Sequence, residues 1–122
     1  MITLATLPQA TAQQVFDQVA RHMLTQNARA SDGTRCKYRE GSLKCAAGCL
    51  ISDDEYKTEF ENSSWVLLAE RGKVPAEHSD LIRELQRVHD VQENVNAWPH
   101  MLRRLAGEEG LSCSVVDEFD RV

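Results

Sequence analysis

Residues 35–52 read RCKYREGSLKCAAGCLIS and hold three of the four cysteines of the 122-residue chain. On both sides of the glycine, apolar or thiol side chains alternate with basic ones. Two alternating runs around a glycine-containing turn are typical of a β-hairpin, here placed near residues 35–45. With Glu40-Gly41 as the two-residue loop, the side chains of one face form two cross-strand pairs. These pairs are Tyr38 with Leu43 and Cys36 with Cys45.

A helical pattern follows the hairpin. Apolar and thiol residues from Cys45 to Leu50 recur at the spacing of one helical face, which predicts a helix over residues 45–52. Cys49 then lies one turn after Cys45, and Gly48 is small enough to allow close packing. The hairpin and the helix together bring three sulfurs close to one another, those of Cys36, Cys45 and Cys49.

Three converging thiols have several interpretations. The simplest is that buried cysteines pack as small hydrophobic side chains where the hairpin meets the helix. A zinc site with Cys36, Cys45 and Cys49 as ligands is an alternative, although this spacing is not one of the common zinc motifs. Redox chemistry is a third. Zinc would need a fourth ligand, for which there are four candidates: His22, His89, His100 and Cys113.

A nucleophilic thiol is a further hypothesis, with Cys49, His89 and Asp90 as its residues. Nothing in the sequence places His89 near Cys49. His89 also lies on the apolar face of its predicted helix, where a buried, hydrogen-bonded histidine is the more common arrangement. The chain has no glycine-rich phosphate loop, paired-carboxylate motif or zinc-protease helix. We therefore expect no catalytic residues and, apart from the zinc alternative, no cofactor.

Composition is that of an ordinary globular protein, with 42% hydrophobic and 27% charged residues. We expect a single domain over residues 1–122, with residues 1–10 and 111–122 at its periphery. No apolar run reaches the length of a membrane span and no signal-peptide pattern is present, so we expect a cytoplasmic protein with reduced cysteines. The net charge of −5 argues against non-specific nucleic-acid binding over the whole surface.

Helical periodicity elsewhere predicts a mainly α (α+β) fold, a compact helical domain with one small hairpin. The predicted helices cover residues 11–29, 45–52, 63–71, 78–92 and 96–107. Thr11 and Gln14 match a capping box for the first helix. Asn96 is the predicted cap of the last, with Pro99 in its first turn. The predicted core consists of Val15, Phe16, Val19, Leu43, Cys45, Cys49, Leu50, Trp65, Leu68, Leu81, Leu85, Trp98, Leu102 and Leu105.

The second face of the hairpin carries four basic side chains, those of Arg35, Lys37, Arg39 and Lys44. One interpretation is a solvated edge that charge protects from aggregation. The other is a docking face for an anionic partner, either an acidic protein surface or nucleic acid. Four further arginines would enlarge such a patch if the fold brought them alongside: Arg83, Arg87, Arg103 and Arg104.

Much of the chain carries a set of linked motifs. They are Cys36-x-Tyr38-Arg39, Leu43-Lys44-Cys45-Ala46-x-Gly48-Cys49-Leu50-Ile51, Asp54-Glu55-Tyr56, Leu85-Gln86-x-Val88-His89-Asp90, and Trp98 with Leu102. In these motifs the chain resembles a family of small uncharacterised proteins of bacteria, phages and prophages. The resemblance implies a mobile-element or accessory context, in which small proteins often bind a host or phage component. It implies no activity, cofactor or catalytic residue.

The sequence therefore favours a non-enzymatic interaction protein, an accessory factor of phage or prophage type that binds a protein partner. The runner-up is a small zinc-binding domain that contacts nucleic acid through the basic hairpin face. A thiol enzyme is the third hypothesis.

Overall fold

The computed structural model describes residues 1–33, 36–91 and 94–119. In these ranges the helices Ala12–Gln26, Ser79–Val91 and Trp98–Glu109 pack on one another. The helix Trp65–Glu70 lies on Ser79–Val91, and the helix Ser114–Glu118 lies on Ala12–Gln26 and Trp98–Glu109. The α-helices are α1 (Ala12–Gln26), α2 (Trp65–Glu70), α3 (Ser79–Val91), α4 (Trp98–Glu109) and α5 (Ser114–Glu118). Strands β1 (Arg39–Glu40) and β2 (Leu43–Lys44) form an antiparallel hairpin. The predicted mainly helical fold with one small hairpin is confirmed.

Local signals in the sequence account for where the helices begin and end. Thr11 and Gln14 form the predicted capping box at the start of α1, and Asn27 ends this helix in the left-handed conformation at φ 52°. Pro99 lies in the first turn of α4, as predicted. The predicted cap of α4 at Asn96 was wrong, because a short 3₁₀ turn precedes the helix and Asn94 caps that turn. None of the helices in the described ranges has the length and apolar character that a membrane span requires.

The hairpin differs from the prediction in its loop. The strands pair Arg39 with Lys44 and Glu40 with Leu43. The loop is therefore Gly41-Ser42 and not Glu40-Gly41. Gly41 has a φ of 62°, whereas Ser42 is not among the residues with positive φ. A positive φ at only the first loop position is the pattern of a type II′ turn, which favours glycine there, so the turn geometry selects this register.

The corrected register changes the neighbour of each cysteine. Tyr38, not Cys36, lies across from Cys45, and the Cys45 N–H donates to the Tyr38 carbonyl oxygen at 3.2 Å. The chain turns into a 3₁₀ helix soon after Cys45, so Cys36 has no strand partner there. It forms an isolated antiparallel bridge with Ser31 instead. The predicted pairing of Cys36 with Cys45 was therefore wrong.

The helix predicted over residues 45–52 was wrong in length and type, because the structure has a 3₁₀ turn over Ala47–Leu50. Gly48 explains why the chain turns so tightly against the hairpin. A Cβ atom at this position would overlap the carbonyl oxygen of Tyr38. Only glycine lets the two backbone segments approach this closely.

The core is one cluster of buried residues that draws on every α-helix. Twelve of the fourteen predicted core residues are buried, whereas Leu43 and Cys49 are only partly buried. Both ends of the chain contribute buried side chains, although they were predicted to be peripheral. Leu7 is fully buried before α1, and Val115 and Val116 are buried on α5.

Side chains from outside the hairpin satisfy its backbone, one at the end of α1 and one in the segment before α2. The Gln26 carboxamide accepts from the Lys44 N–H at 3.0 Å and donates to the Lys44 carbonyl at 2.8 Å. On the other strand the Glu61 carboxylate accepts from the N–H groups of Tyr38 and Arg39 at 3.0 and 3.2 Å. A side chain thus bonds the outer backbone groups of each strand, which in a larger sheet would pair with a neighbouring strand.

Glu55 anchors the amino-terminal segment in a similar way. Its carboxylate accepts hydrogen bonds from the backbone N–H groups of Leu4, Ala5 and Ser52 at 2.9–3.0 Å. Burial alone would raise the pKa of this carboxyl, but the three N–H groups together hold it below its ordinary value of 4.5.

Gly48→Ala tests the close approach of the 3₁₀ turn to the hairpin. Because the added methyl group would meet backbone atoms, we expect this variant to lose about 1–3 kcal/mol of unfolding free energy in urea titrations. Gly107→Ala is the matched control, since its Cβ would lie in open space within α4. It should gain about 1 kcal/mol. Equal stability of the two variants would contradict this account of Gly48.

Glu55→Gln tests the anchoring of the amino-terminal segment. A carboxyl whose folded pKa is depressed stabilises the protein above its unfolded pKa, and this stabilisation is lost as pH falls through the folded pKa. The variant should therefore be less stable than the wild type at pH 7, and the difference should shrink below pH 4.5. Urea unfolding at several pH values measures it. Glu59→Gln, at a carboxylate 3.8 Å from Lys73 Nζ, controls for the lost charge. A difference that does not change with pH would refute the explanation.

Candidate binding groove and thiol cluster

A groove of about 630 Å³ lies between the hairpin segment, the start of α2 and one face of α3. Its floor includes the buried side chains of Tyr38, Cys45 and Trp65, with Val66 beside them. Its volume falls in the range of about 300–1,000 Å³ that is usual for ligand sites. An apolar floor of this size can accommodate one or two side chains of a bound molecule.

Tyr38 and Trp65, the two aromatic residues of the floor, are held in place by different elements. The Tyr38 hydroxyl donates to the Ser63 carbonyl oxygen at 2.6 Å, which ties the hairpin to the segment before α2. Trp65 is the first residue of α2, whose N-terminus Ser64 caps by accepting from the Leu67 N–H. Burial raises the pKa of Tyr38 well above its ordinary value of 10.0, and the nearby Cys45 and Glu61 add to this effect. Tyr38 therefore stays a neutral hydrogen-bond donor.

The rim of the groove carries three basic residues, Lys37, Arg83 and Arg87. Lys37 lies 3.9 Å from Asp32, and Arg83 lies within 4.0 Å of two carboxylates. Arg87 is exposed and makes no ion pair with the described residues. It also borders a smaller cleft of about 290 Å³, which Arg104 of α4 lines as well. Arg87 thus joins two concave parts of the surface.

A thiol, an imidazole and a carboxylate meet at one end of the groove. Among the described residues, the one group of three possible metal-ligating side chains is Cys36, His89 and Asp90, whose ligand atoms lie within 4.8 Å of one another. Cys36 and Asp90 line the groove, whereas His89 is fully buried behind them. Arg29 completes the cluster, since its Nη2 donates to Cys36 Sγ at 2.9 Å and to the Asp90 carbonyl oxygen at 2.8 Å.

Both ring nitrogens of His89 are hydrogen bonded. The Ala30 N–H donates to Nε2 at 3.3 Å, and Nδ1 lies 2.8 Å from Asp90 Oδ1. Since Nε2 accepts a hydrogen bond and Nδ1 faces a carboxylate, the ring proton lies on Nδ1. The ring also stacks on Trp98, with 5.5 Å between the two ring centroids. The expectation of a buried, hydrogen-bonded histidine at this position is confirmed.

The arrangement does not activate Cys36 as a nucleophile. Burial raises the pKa of the Cys36 thiol, and the Asp90 carboxylate raises it further, while the hydrogen bond from Arg29 opposes both effects. The net shift is upward, so the thiolate that nucleophilic catalysis needs is disfavoured.

The structure does not bring the three predicted thiol ligands together as one metal-binding group. The Sγ of Cys45 accepts from the Gly48 N–H at 3.2 Å, and the Cys49 thiol donates to the Ala46 carbonyl oxygen at 3.2 Å. The hairpin register explains the difference, because it leaves Cys36 beyond the strand pair. Of the proposed fourth ligands, His89 is the one that joins Cys36.

His22, another proposed fourth ligand, has a structural role. Its Nε2–H donates to the Lys44 carbonyl oxygen at 2.9 Å, beside the Gln26 carboxamide. Burial lowers the pKa of His22 below its ordinary value of 6.5. The neutral ring therefore helps α1 to hold strand β2. His100 and Cys113, the other two candidates, are outside the group at Cys36.

The basic hairpin face is largely paired within the chain. Arg39 Nη1 lies 2.7 Å from Asp53, its guanidinium lies 4.7 Å from the Tyr56 ring centroid, and Lys44 Nζ lies 3.8 Å from the same Asp53. Arg35 lies outside the described residues. Of the three described residues, Lys37 is the one at the groove, and the binding role suggested for all four stays a prediction.

Thiol alkylation tests the environment of the cysteines. Burial raises the pKa of Cys49 to about 12, compared with its ordinary value of 9.0, and also raises those of Cys36 and Cys45. At pH 8 the thiolate fraction of Cys49 should be lower than that of an ordinary cysteine by roughly 10³-fold. Peptide mass spectrometry after iodoacetamide treatment should show slow labelling of all three residues in native protein and fast labelling in urea. Native Cys36 that reacts as fast as the unfolded residue would contradict this electrostatic account.

Comparison with models of protein families gives no match, and comparisons with curated proteins and with solved structures give none either.

Proposed function

We propose that this protein is a non-enzymatic interaction module whose groove binds an acidic, partly apolar peptide segment of a protein partner. The observation that carries the proposal is the position of Arg87. Its guanidinium group stands at the rim of a groove with an aromatic floor and makes no ion pair with the described residues. A carboxylate of the partner would supply that ion pair.

The chemistry of the lining fits a peptide. Tyrosine, tryptophan and arginine are the residue types that most often contribute large binding energies at protein interfaces, and Tyr38, Trp65 and Arg87 all line this groove. The Trp65 indole N–H is buried without a hydrogen-bond partner among the described residues. Such a donor favours a ligand with backbone carbonyl groups over a purely apolar one, provided that the ring shifts slightly on binding.

Carboxylates near the groove favour a peptide over nucleic acid. Glu61 and Asp90 line the groove, and Glu84 and Glu108 line the adjoining cleft. A nucleic-acid backbone carries one negative charge per phosphate and would meet these groups repeatedly. A peptide with one or two acidic residues can pair with Arg87 and Arg83 and keep its other side chains away from them. The net charge of −5 supports the same choice.

The thiol cluster also supports a non-enzymatic function. The raised pKa of Cys36 works against nucleophilic catalysis, and both nitrogens of His89 are occupied by hydrogen bonds. The cytoplasmic setting and the phage or prophage context belong to the same proposal. They rest on the motif resemblance and on the four cysteines, which are all free thiols.

A displayed library of random peptides, selected on the full-length protein, tests the proposal. Enriched sequences should place aspartate or glutamate one to three residues from an aromatic or aliphatic residue. A synthetic copy of the best peptide should bind the Arg87→Glu variant at least about tenfold more weakly, because the substitution replaces an attractive charge with a repulsive one. Added salt should weaken binding to the wild type.

Arg71→Glu provides the matched control, since Arg71 is exposed and lies outside the groove lining. It makes the same charge change and should leave peptide affinity unchanged. The proposal fails if no sequence class is enriched, or if Arg87→Glu binds the peptide as tightly as Arg71→Glu. It also fails if a short single-stranded oligonucleotide displaces the peptide and binds more tightly in an Arg87-dependent manner.

A further inference from the structure

We propose that Cys36, His89 and Asp90 form a three-ligand Zn²⁺ site whose fourth coordination position opens into the groove. These residues supply one thiol, one imidazole and one carboxylate, and zinc accepts all three ligand types. This site differs from the thiol site suggested by the sequence, with which it shares only Cys36. It does not depend on which peptide the groove binds.

The spacing of the ligand atoms fits an ion after a small contraction. Zinc bonds of about 2.0–2.3 Å place tetrahedral ligand atoms roughly 3.3–3.8 Å apart. The three candidate atoms lie within 4.8 Å of one another, so side-chain movements of about 1 Å or less bring them into range. Two of them follow each other at the end of α3, and His89 is held by burial and by stacking on Trp98.

The exposure of the three ligands indicates why the fourth coordination position would be open to the groove. Cys36 and Asp90 line the groove, and the Asp90 side chain is 39% exposed, whereas the His89 side chain is fully buried. An ion bound by all three would therefore be covered by protein on the His89 side and exposed to the groove on the other. Water, or a donor atom of a bound molecule, can take the remaining position.

Zinc binding releases the thiol proton of Cys36 to solvent and moves the ring proton of His89 from Nδ1 to Nε2, which breaks one hydrogen bond. The ring nitrogen nearer to Asp90 is Nδ1, so zinc would replace the proton that Nδ1 now shares with Asp90 Oδ1 at 2.8 Å. The ring would then keep its proton on Nε2, which can no longer accept from the Ala30 N–H. Both groups are buried, so the Ala30 N–H and the Nε2–H must move apart, and this lowers the affinity for zinc. The Ala30 amide is therefore a reporter of zinc binding.

Neighbouring side chains already hold two of the ligands in place. The Gln86 carboxamide donates to Asp90 Oδ1 at 2.7 Å, and Arg29 Nη2 donates to Cys36 Sγ at 2.9 Å. Outer hydrogen bonds of this kind orient metal ligands and adjust their basicity. With Zn²⁺, one thiolate and one carboxylate the charges of the site sum to zero, so Arg29 leaves it with a single positive charge that favours an anionic fourth ligand.

Cobalt titration of full-length, chelator-treated protein tests the site. Co²⁺ substitutes for zinc, and a thiolate ligand gives a near-ultraviolet charge-transfer band. We expect one ion per chain, a charge-transfer band, and its loss on addition of Zn²⁺. In ¹⁵N-labelled protein, Zn²⁺ should shift the Ala30 amide resonance, as the proton transfer on His89 requires.

Substitutions identify the ligands. Cys36→Ser should abolish the charge-transfer band, and Asp90→Asn, which keeps the size of the side chain, should weaken affinity by at least about tenfold. Cys49→Ser and Cys113→Ser are the matched controls and should retain the band. The proposal is overturned if folded wild-type protein gives no band at saturating Co²⁺. It is equally overturned if the band survives in Cys36→Ser, or if the Ala30 resonance does not move.

Discussion

The structure depends on one constraint, which concerns the long segment between α1 and α2. This segment is neither a helix nor an extended sheet, yet its backbone N–H and C=O groups still need hydrogen-bond partners. Between α1 and α2 the described residues form two strands of two residues each and otherwise only short turns and loops. A two-stranded hairpin of that length is not stable in water by itself. Gln26 and Glu61 supply the missing partners on its two strands, and Gln86 accepts from the Ala47 N–H at 2.8 Å. Side chains of α1 and α3 and of the loop before α2 therefore hold the hairpin in its path.

This constraint also explains the groove. Glu61 holds the backbone of β1, while the Tyr38 hydroxyl reaches the Ser63 carbonyl oxygen, so the hairpin and the start of α2 are joined at two points. The concave surface between them is lined by Tyr38 and Trp65 and bordered by α3. Because hydrogen bonds from several elements fix this shape, binding of the proposed peptide would require little ordering of the floor.

Much of the fold could be predicted from the sequence, since amphipathic periodicity and capping residues are local signals. Thr11 and Gln14 determine the start of α1 through contacts within four residues of each other. The hairpin register was missed because Glu40-Gly41 and Gly41-Ser42 both contain a glycine, although glycine at the first loop position is the local signal of a type II′ turn. The positive φ of Gly41 fits that first position, and Gln26 and Glu61 bond the backbone of the paired strands from outside the hairpin. A shift of one residue in the loop was enough to separate Cys36 from Cys45.

The cluster at Cys36 shows why site prediction is harder than fold prediction here. His89 and Asp90 were considered together with a cysteine from the sequence, but with Cys49 and not with Cys36. Cys36 reaches them because the chain after α1 runs back along the end of α3, where the Ala30 N–H meets His89 and Arg29 bonds both the thiol and the Asp90 carbonyl. Arg29 and the ring proton of His89 now supply the positive charge and the hydrogen-bond donors around the thiol and the carboxylate. In the proposed zinc site, a divalent cation would replace the thiol proton of Cys36 and the ring proton on Nδ1 of His89, which would move to Nε2. The metal-free and metal-bound arrangements would therefore differ chiefly in whether protons or a metal ion lie between these side chains.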